Sequence, residues 1–534
     1  MISWGHSGQT KAPADTAEAR WLPLLVFGCA LMVVAITGVP AAAQGARQKL
    51  PAAEKIVSAY LKAIGGRKRV ASIRDATYEW SAQRDGQEVG RITTRTRAAA
   101  YARIDAFFSD GETSAAAGPR SAWLRWPNGA LQTLTEQEAG AAKLQAALDA
   151  SHLVDYKKLG IMARTIGLDD AGAEPAYIIE FSTRNGAHLR YWFGASSNLL
   201  LQIADEARRT IMRFGDYRAA GGVLEPHRVE RMTAGAGPLA LVLQSTRYNL
   251  GLDETLFDPP NLAALDIPAL LREVERNQDE IEARVDQYTF TRKETQREVN
   301  DRGEVTKETV KVYEVYPVPG QRPIIKLVSE NGTPLSPERA EKEQKRVAEE
   351  LEKAERERAR RAQKREQERA QRKEKGEDDD EIGISDFLRV CELVSARRER
   401  FRDRDAVVFD FRPRPNFRPR NRAEAIISKL DGIAWIDPVD KVVIRLEARL
   451  AEGYKMGGGL VASIRQGSAF AFEQTRMPDG VWLPRYAQIN ASFKLFLLAG
   501  GDFNITREYG DYRRFDTFVG EDKIEGPKAK PEER

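Results

Sequence analysis

The sequence predicts a mainly β protein of the α+β class, built as two successive antiparallel sheets with one long charged helix. Three observations predict it. Short runs of alternating apolar and polar residues, broken by Gly, Pro, Asn and Asp, recur along most of the chain. Two stretches with helical apolar spacing, at residues 51–66 and 267–285, each precede a set of such runs. A third stretch, residues 337–375, is almost wholly Glu, Lys, Arg, Gln and Ala.

The N-terminal region reads as an export signal. Residues 20–44 are RWLPLLVFGCALMVVAITGVPAAAQ: a positive flank, an apolar run and a small-residue cleavage site at Ala41-Ala42-Ala43. Residues 1–43 are therefore expected to leave a periplasmic protein, peripheral to the membrane. The apolar run is near the lower limit for crossing a bilayer, so an uncleaved N-terminal anchor is the alternative. Cleavage leaves Cys391 as the sole cysteine, and no internal disulfide can form.

Length and charge narrow the function. A chain of 534 residues implies two or three domains. Its net charge of +4 is too small for the whole chain to be a nucleic-acid binder. His152, His188 and His227 lack the close spacing of a metal centre, so neither metal nor cofactor is expected. No Ser-His-Asp or Cys-His arrangement, phosphate loop or paired-carboxylate motif is present, which points to binding without covalent chemistry.

The first half, residues 46–260, opens on PAAEKIVSAYLKAIGG. Ile56, Tyr60, Leu61 and Ile64 form its apolar stripe and Gly65-Gly66 ends it. Strand runs such as ATYEWSAQ, AYIIEFST and HLRYWFG follow, with a helical insertion over TEQEAGAAKLQAALDASHLVDYKKLG. The second half, residues 265–520, repeats the order: a helix from Ile267, strands, a helical insertion, then strands such as AVVFDFRP and VVIRLEARL. Residues 521–534 read as a disordered tail.

Two hairpin motifs link the halves. GVLEP at 222–226 follows Trp192, a polar turn and an apolar strand ending in charge. GVWLP at 480–484 follows Trp435 in the same order, and STRYNLG and ITREYGDY close the two segments alike. A diverged tandem duplication explains the four matches. Two unrelated β domains with coincident turns is the alternative.

KIVSAYLKAIGG, SAWLRWPNGALQTLTEQEA, AYIIEFSTRNGAHLRYWFGASSNLLLQI and GVLEPHRVE together resemble the bacterial outer-membrane lipoprotein-sorting (LolA-like) superfamily. WIDPVDKVVIRLE and GVWLP resemble it more loosely. The resemblance implies two curved antiparallel half-barrels, each plugged by helices on its concave side. It also implies a carrier or sensor whose partners are lipid or lipoprotein acyl chains, held in an apolar cavity. The residues expected to touch an acyl chain are Ile56 and Tyr60 on the first helix and the strand tryptophans Trp80, Trp192 and Trp435. For any one tryptophan, an ordinary core position is the simpler expectation.

In the charged run, Ser336-Pro337 starts a helix and Gly376 stops it. Glu341–Lys345, Glu349–Lys353 and Glu352–Arg356 are i,i+4 pairs with Glu first, and a helix over 337–375 would reach roughly 58 Å. Ala340, Val347, Leu351 and Ala354 give only its first half something to dock. In RPRPNFRPRNR, alternating proline holds Arg412, Arg414, Arg418 and Arg420 apart on extended backbone, a spacing suited to anionic head groups or a partner. These arginines and the charged helix also support the alternative function, a non-enzymatic envelope scaffold that recruits a protein partner.

Overall fold

The computed structural model describes residues 50–170, 174–260, 266–285, 287–300, 305–318, 323–371, 384–420, 422–456, 462–495 and 499–514. The 20–44 segment and the 521–534 tail lie outside these ranges. The fold is mainly antiparallel β: two large open sheets and few helices.

The first half enters through α1 (Ala53–Ala63) and the single turn α2 (Arg67–Val70). Six strands follow: β1 (Asp75–Arg84), β2 (Gln87–Arg97), β3 (Tyr101–Phe108), β4 (Gly111–Ala117), β5 (Ala122–Arg125) and β6 (Leu131–Thr133). Helix α3 (Glu136–Ser151) interrupts the meander. It resumes as β7 (Met162–Asp170), β8 (Pro175–Ser182), β9 (His188–Gly194), β10 (Leu200–Asp205), β11 (Thr210–Ala220), β12 (Val223–Thr233) and β13 (Leu239–Tyr248). Chain neighbours pair throughout, with one closure: β13 returns to pair β1, leaving β6 and β7 as the edges.

Helix α1 buries Ala53, Ile56, Val57 and Leu61, spaced to share one helical face. That face joins a single core with Leu144 and Leu148 of α3 and with Trp80, Phe181, Tyr191, Phe193 and Ile203 of the sheet. In β9 the period of two decides which side chains reach it: Tyr191 and Phe193 are buried there, and Trp192 between them points the other way.

The second half repeats this closure. Its elements are α4 (Ile267–Val285), β14 (Tyr288–Val299), β15 (Val305–Tyr316), β16 (Ile324–Glu330), β17 (Thr333–Pro334), α5 (Pro337–Gln371) and α6 (Ile384–Val390). Then come β18 (Cys391–Phe401), β19 (Arg404–Pro413), α7 (Arg422–Ile427), β20 (Leu430–Asp437) and β21 (Val442–Leu450). The short β22 (Tyr454–Met456) and β23 (Ala462–Ile464) precede β24 (Ala469–Arg476), β25 (Trp482–Leu495) and β26 (Ala499–Arg514). Strand β26 returns to pair β14, and β17 and β18 end the main path.

Val347, Leu351 and Ala354 of α5 pack on Tyr316, Val318 and Ile324. Ala340, expected in the same stripe, is exposed two turns before the docked face begins at Val347. Of the expected charge pairs, Glu352–Arg356 is formed. Residues 372–375 lie outside the described ranges.

A buried polar cluster joins the halves where β6 meets β18. Arg397, fully buried, donates from Nε to Glu399 Oε1 at 2.6 Å, from Nη1 to Asp410 Oδ1 at 2.9 Å and from Nη2 to Thr133 Oγ1 at 2.6 Å. Thr133 returns its own N–H and hydroxyl to Glu399, both at 2.7 Å. Arg120 of the first half reaches Asp410 at 3.0 Å and Asp258 at 2.6 Å. Glu399 and Asp410 thus each have donors from both halves, the condition for burying charge without a large penalty.

Candidate ligand cavity

A cavity of about 120 Å³ lies in the first half between α1, α3 and the sheet. Trp80, Ile104, Leu148, Leu153, Ile203 and Phe214 give it apolar walls. Tyr60 reaches it from α1, Tyr78 from β1, Tyr191 from β9, Tyr217 from β11 and Glu225 from β12. Asp149 and His152, at the end of α3, also line it. Helix α3 ends in a left-handed turn, with φ of 49° at His152 and 59° at Leu153, and this turn brings both residues to the cavity.

The polar groups are arranged around Glu225. The turn between β11 and β12 is Gly221-Gly222, with φ of 57° and 85°, a two-residue hairpin geometry that glycine adopts without strain. It sets Glu225 on β12 opposite Arg218, with its side chain toward β1 and β13. Tyr78 and Tyr248 both donate to Glu225 Oε1, at 3.0 and 2.6 Å. Tyr217 spends its hydroxyl on the Leu200 carbonyl at 2.6 Å, and Trp80 donates to Thr94 at 3.1 Å. The Tyr191 hydroxyl is buried with no hydrogen-bond partner among the described residues.

Burial dominates the electrostatics. It raises the Glu225 carboxyl above the usual carboxylate range, against the opposing pull of the two tyrosine hydrogen bonds and His227. It raises Tyr60, Tyr78 and Tyr191 as well, with Glu225 adding to the first two. His152 is held down to about 4 because burial disfavours the imidazolium. Burial thus disfavours the charged form of each of these groups.

The expected site residues do not all meet here. Tyr60 and Trp80 line the cavity. Ile56 is packed in the core beside it, 7% exposed. Trp192 lies on the opposite face of the sheet, and its neighbour Tyr191 takes the inward position. Trp435 is fully buried in the second half against Phe401. Arg412 pairs with Glu392, and Arg414 donates to the carbonyls of Arg389 and Leu388, closing the C-terminus of α6. Arg418 and Arg420 are exposed.

Sequence reasoning passed over Glu225, Tyr78, Tyr191, Tyr217, Tyr248 and His152. One signal was in view: the hairpin motif carries Glu in its first copy and Leu483 in its second. Among the described residues no group of three His, Cys, Asp or Glu could hold a metal ion. No described helix is long and apolar enough to cross a membrane.

No family profile and no curated protein matches the chain. Solved structures do resemble parts of it. A DUF1329 family protein from Desulfovibrio piger is 13% identical over 38% of this chain and 96% of its own, with a TM-score of 0.28. A LolA superfamily protein from Nitrosomonas europaea is 11% identical over 39% of this chain and 98% of its own, with a TM-score of 0.27. The Pseudomonas aeruginosa MucA/MucB complex is 8% identical over 86% of this chain and 99% of the matched chain, with a TM-score of 0.16. At these identities and TM-scores the likenesses assign no family.

Proposed function

We propose that the protein is a periplasmic carrier or sensor of lipid or lipoprotein acyl chains, which it binds in the first-half cavity without covalent chemistry. The observation that carries this reading is the cavity: an apolar hollow roofed by an amphipathic helix, where a filled core would otherwise lie. Transfer of methylenes into such a space is worth about 0.8 kcal/mol each. A volume of about 120 Å³ takes the end of a chain rather than its whole length. The export signal supports the compartment, and the sequence resemblance to lipoprotein-sorting proteins supports the ligand class. In this reading the sheets are the half-barrels that the resemblance implies, and the shared strand closures are the trace of a duplication. Arg418 and Arg420 remain as the exposed cations for a head group or partner.

Binding of a homologous series of fatty alcohols by equilibrium dialysis tests the proposal. Affinity should rise about four-fold per added methylene until the cavity is full, then level off. Tyr60→Asp should weaken binding while preserving the fold. Ile56→Asp, in the packed core, should unfold the first half. Binding that does not depend on chain length sinks the carrier reading.

The envelope-scaffold reading is favoured by a different observation. In the second half Leu483, fully buried, holds the motif position that Glu225 holds in the first. A half without that polar group serves partner contact better than recognition of a polar ligand.

A further inference from the structure

We propose that Glu225, oriented by Tyr78 and Tyr248, is the polar anchor of the cavity, and that it takes the carbonyl oxygen of an ester- or amide-linked acyl group. The inference rests on the acyl-chain reading above and names the ligand chemistry at one point of it.

The hydrogen-bond inventory carries it. Both tyrosine hydroxyls go to Glu225 Oε1. Among the described residues, Oε2 has no hydrogen-bond partner and no Lys or Arg forms an ion pair with the carboxyl. The two arginines lining the same cavity, Arg95 and Arg103, are both committed to Asp105. Burial beside apolar walls, with no cation paired to it, favours the protonated carboxyl, whose O–H would be a donor free to meet a ligand acceptor. The direction of its shift agrees.

Tyr191 supplies a second, independent sign. Its ring is 1% exposed, it lines the same cavity, and its hydroxyl has no partner among the described residues. A buried hydroxyl without a partner costs on the order of 1–3 kcal/mol, which a ligand acceptor would remove. Two unspent donors on an apolar cavity fit a neutral acceptor at the end of an acyl chain. A free carboxylate fits poorly, because the walls offer no unpaired cation. The second half lacks the anchor: Leu483 stands opposite Thr475 in the β24–β25 pair, as Glu225 stands opposite Arg218 in the β11–β12 pair. Carbonyl recognition is thereby confined to the first half.

The test compares methyl decanoate, undecane and decylamine by equilibrium dialysis against the purified chain. The ester should bind about ten-fold more tightly than the hydrocarbon, the worth of one buried hydrogen bond. Glu225→Leu should bring the two within about two-fold, whereas Glu225→Gln, which still donates, should keep most of the preference. If Glu225→Leu does not fold by circular dichroism, the near-isosteric Glu225→Met replaces it. Equal binding of ester and hydrocarbon by the unmodified chain overturns the anchor and leaves the acyl reading standing. So does an ester preference that survives loss of the carboxyl. Tightest binding of decylamine overturns it in favour of a cation held by ionised Glu225 and the surrounding rings. Binding of none of the three overturns the acyl reading itself.

Discussion

Replacing Arg397 by Met removes the centre of the cluster that joins the halves while keeping much of the side-chain volume. The guanidinium is fully buried and binds Glu399, Asp410, Thr133 and the Ser395 carbonyl. Without it Glu399 keeps only the two donors of Thr133, and Asp410 keeps Arg120. Each carboxylate loses one charge-assisted bond worth about 1.5–3 kcal/mol. Breaking a buried pair on one side costs about 3–5 kcal/mol in all, and that is the expected loss. Urea unfolding followed by far-UV circular dichroism reads it as a lower midpoint. Because the cluster spans β6 and β18, the single variant should also separate the transition into two steps. The triple variant Arg397→Met, Glu399→Gln, Asp410→Asn removes the unpaired charges and should recover more than half of the loss. A single-variant loss below about 1 kcal/mol, the range of exposed pairs, would refute the reading of a dry, charge-balanced junction.

Three further outcomes are expected. His152, held at about 4 against a usual 6.5, binds fewer protons in the fold than in the unfolded chain between those values. Its contribution is therefore full above pH 6.5 and is lost as pH falls toward 4. The shift corresponds to about 3 kcal/mol, reduced to about 2 for its partial exposure. His152→Asn, which tolerates the left-handed backbone, should flatten that part of the stability–pH curve. Val347→Asp should cost about 2 kcal/mol in urea unfolding by undocking α5 from Val318 and Ile324, whereas deleting residues 356–375 should cost under about 0.5. N-terminal sequencing of protein from the envelope fraction should begin at Gln44, and a start upstream of Leu22 favours the uncleaved anchor.

The fold class was legible because period-two runs and helical stripes are local signals. ATYEWSAQ and HLRYWFG do form strands, and Ile56 and Leu61 do lie on the buried face of α1. The site was less legible because it is set by register. Whether Tyr191 or Trp192 faces the core depends on the parity of β9 against its neighbours, and no property of the tryptophan reveals it. Glu225 stood inside a motif noted for its turn, yet its meaning comes from Tyr78, 147 residues away in the chain. Arg412 and Arg414 carried the same lesson. Extended backbone with spaced guanidiniums suits an anion, but the fold supplies Glu392 and two helix-end carbonyls nearby.

The central claim, that the first-half cavity holds acyl chains, is tested most directly by what the protein carries. Protein purified from the envelope fraction without detergent is extracted with organic solvent, and the extract is analysed by mass spectrometry. The account predicts acyl species approaching one per chain, and their loss from folded Tyr60→Asp. A folded protein that yields no acyl species, or whose yield Tyr60→Asp leaves unchanged, contradicts it.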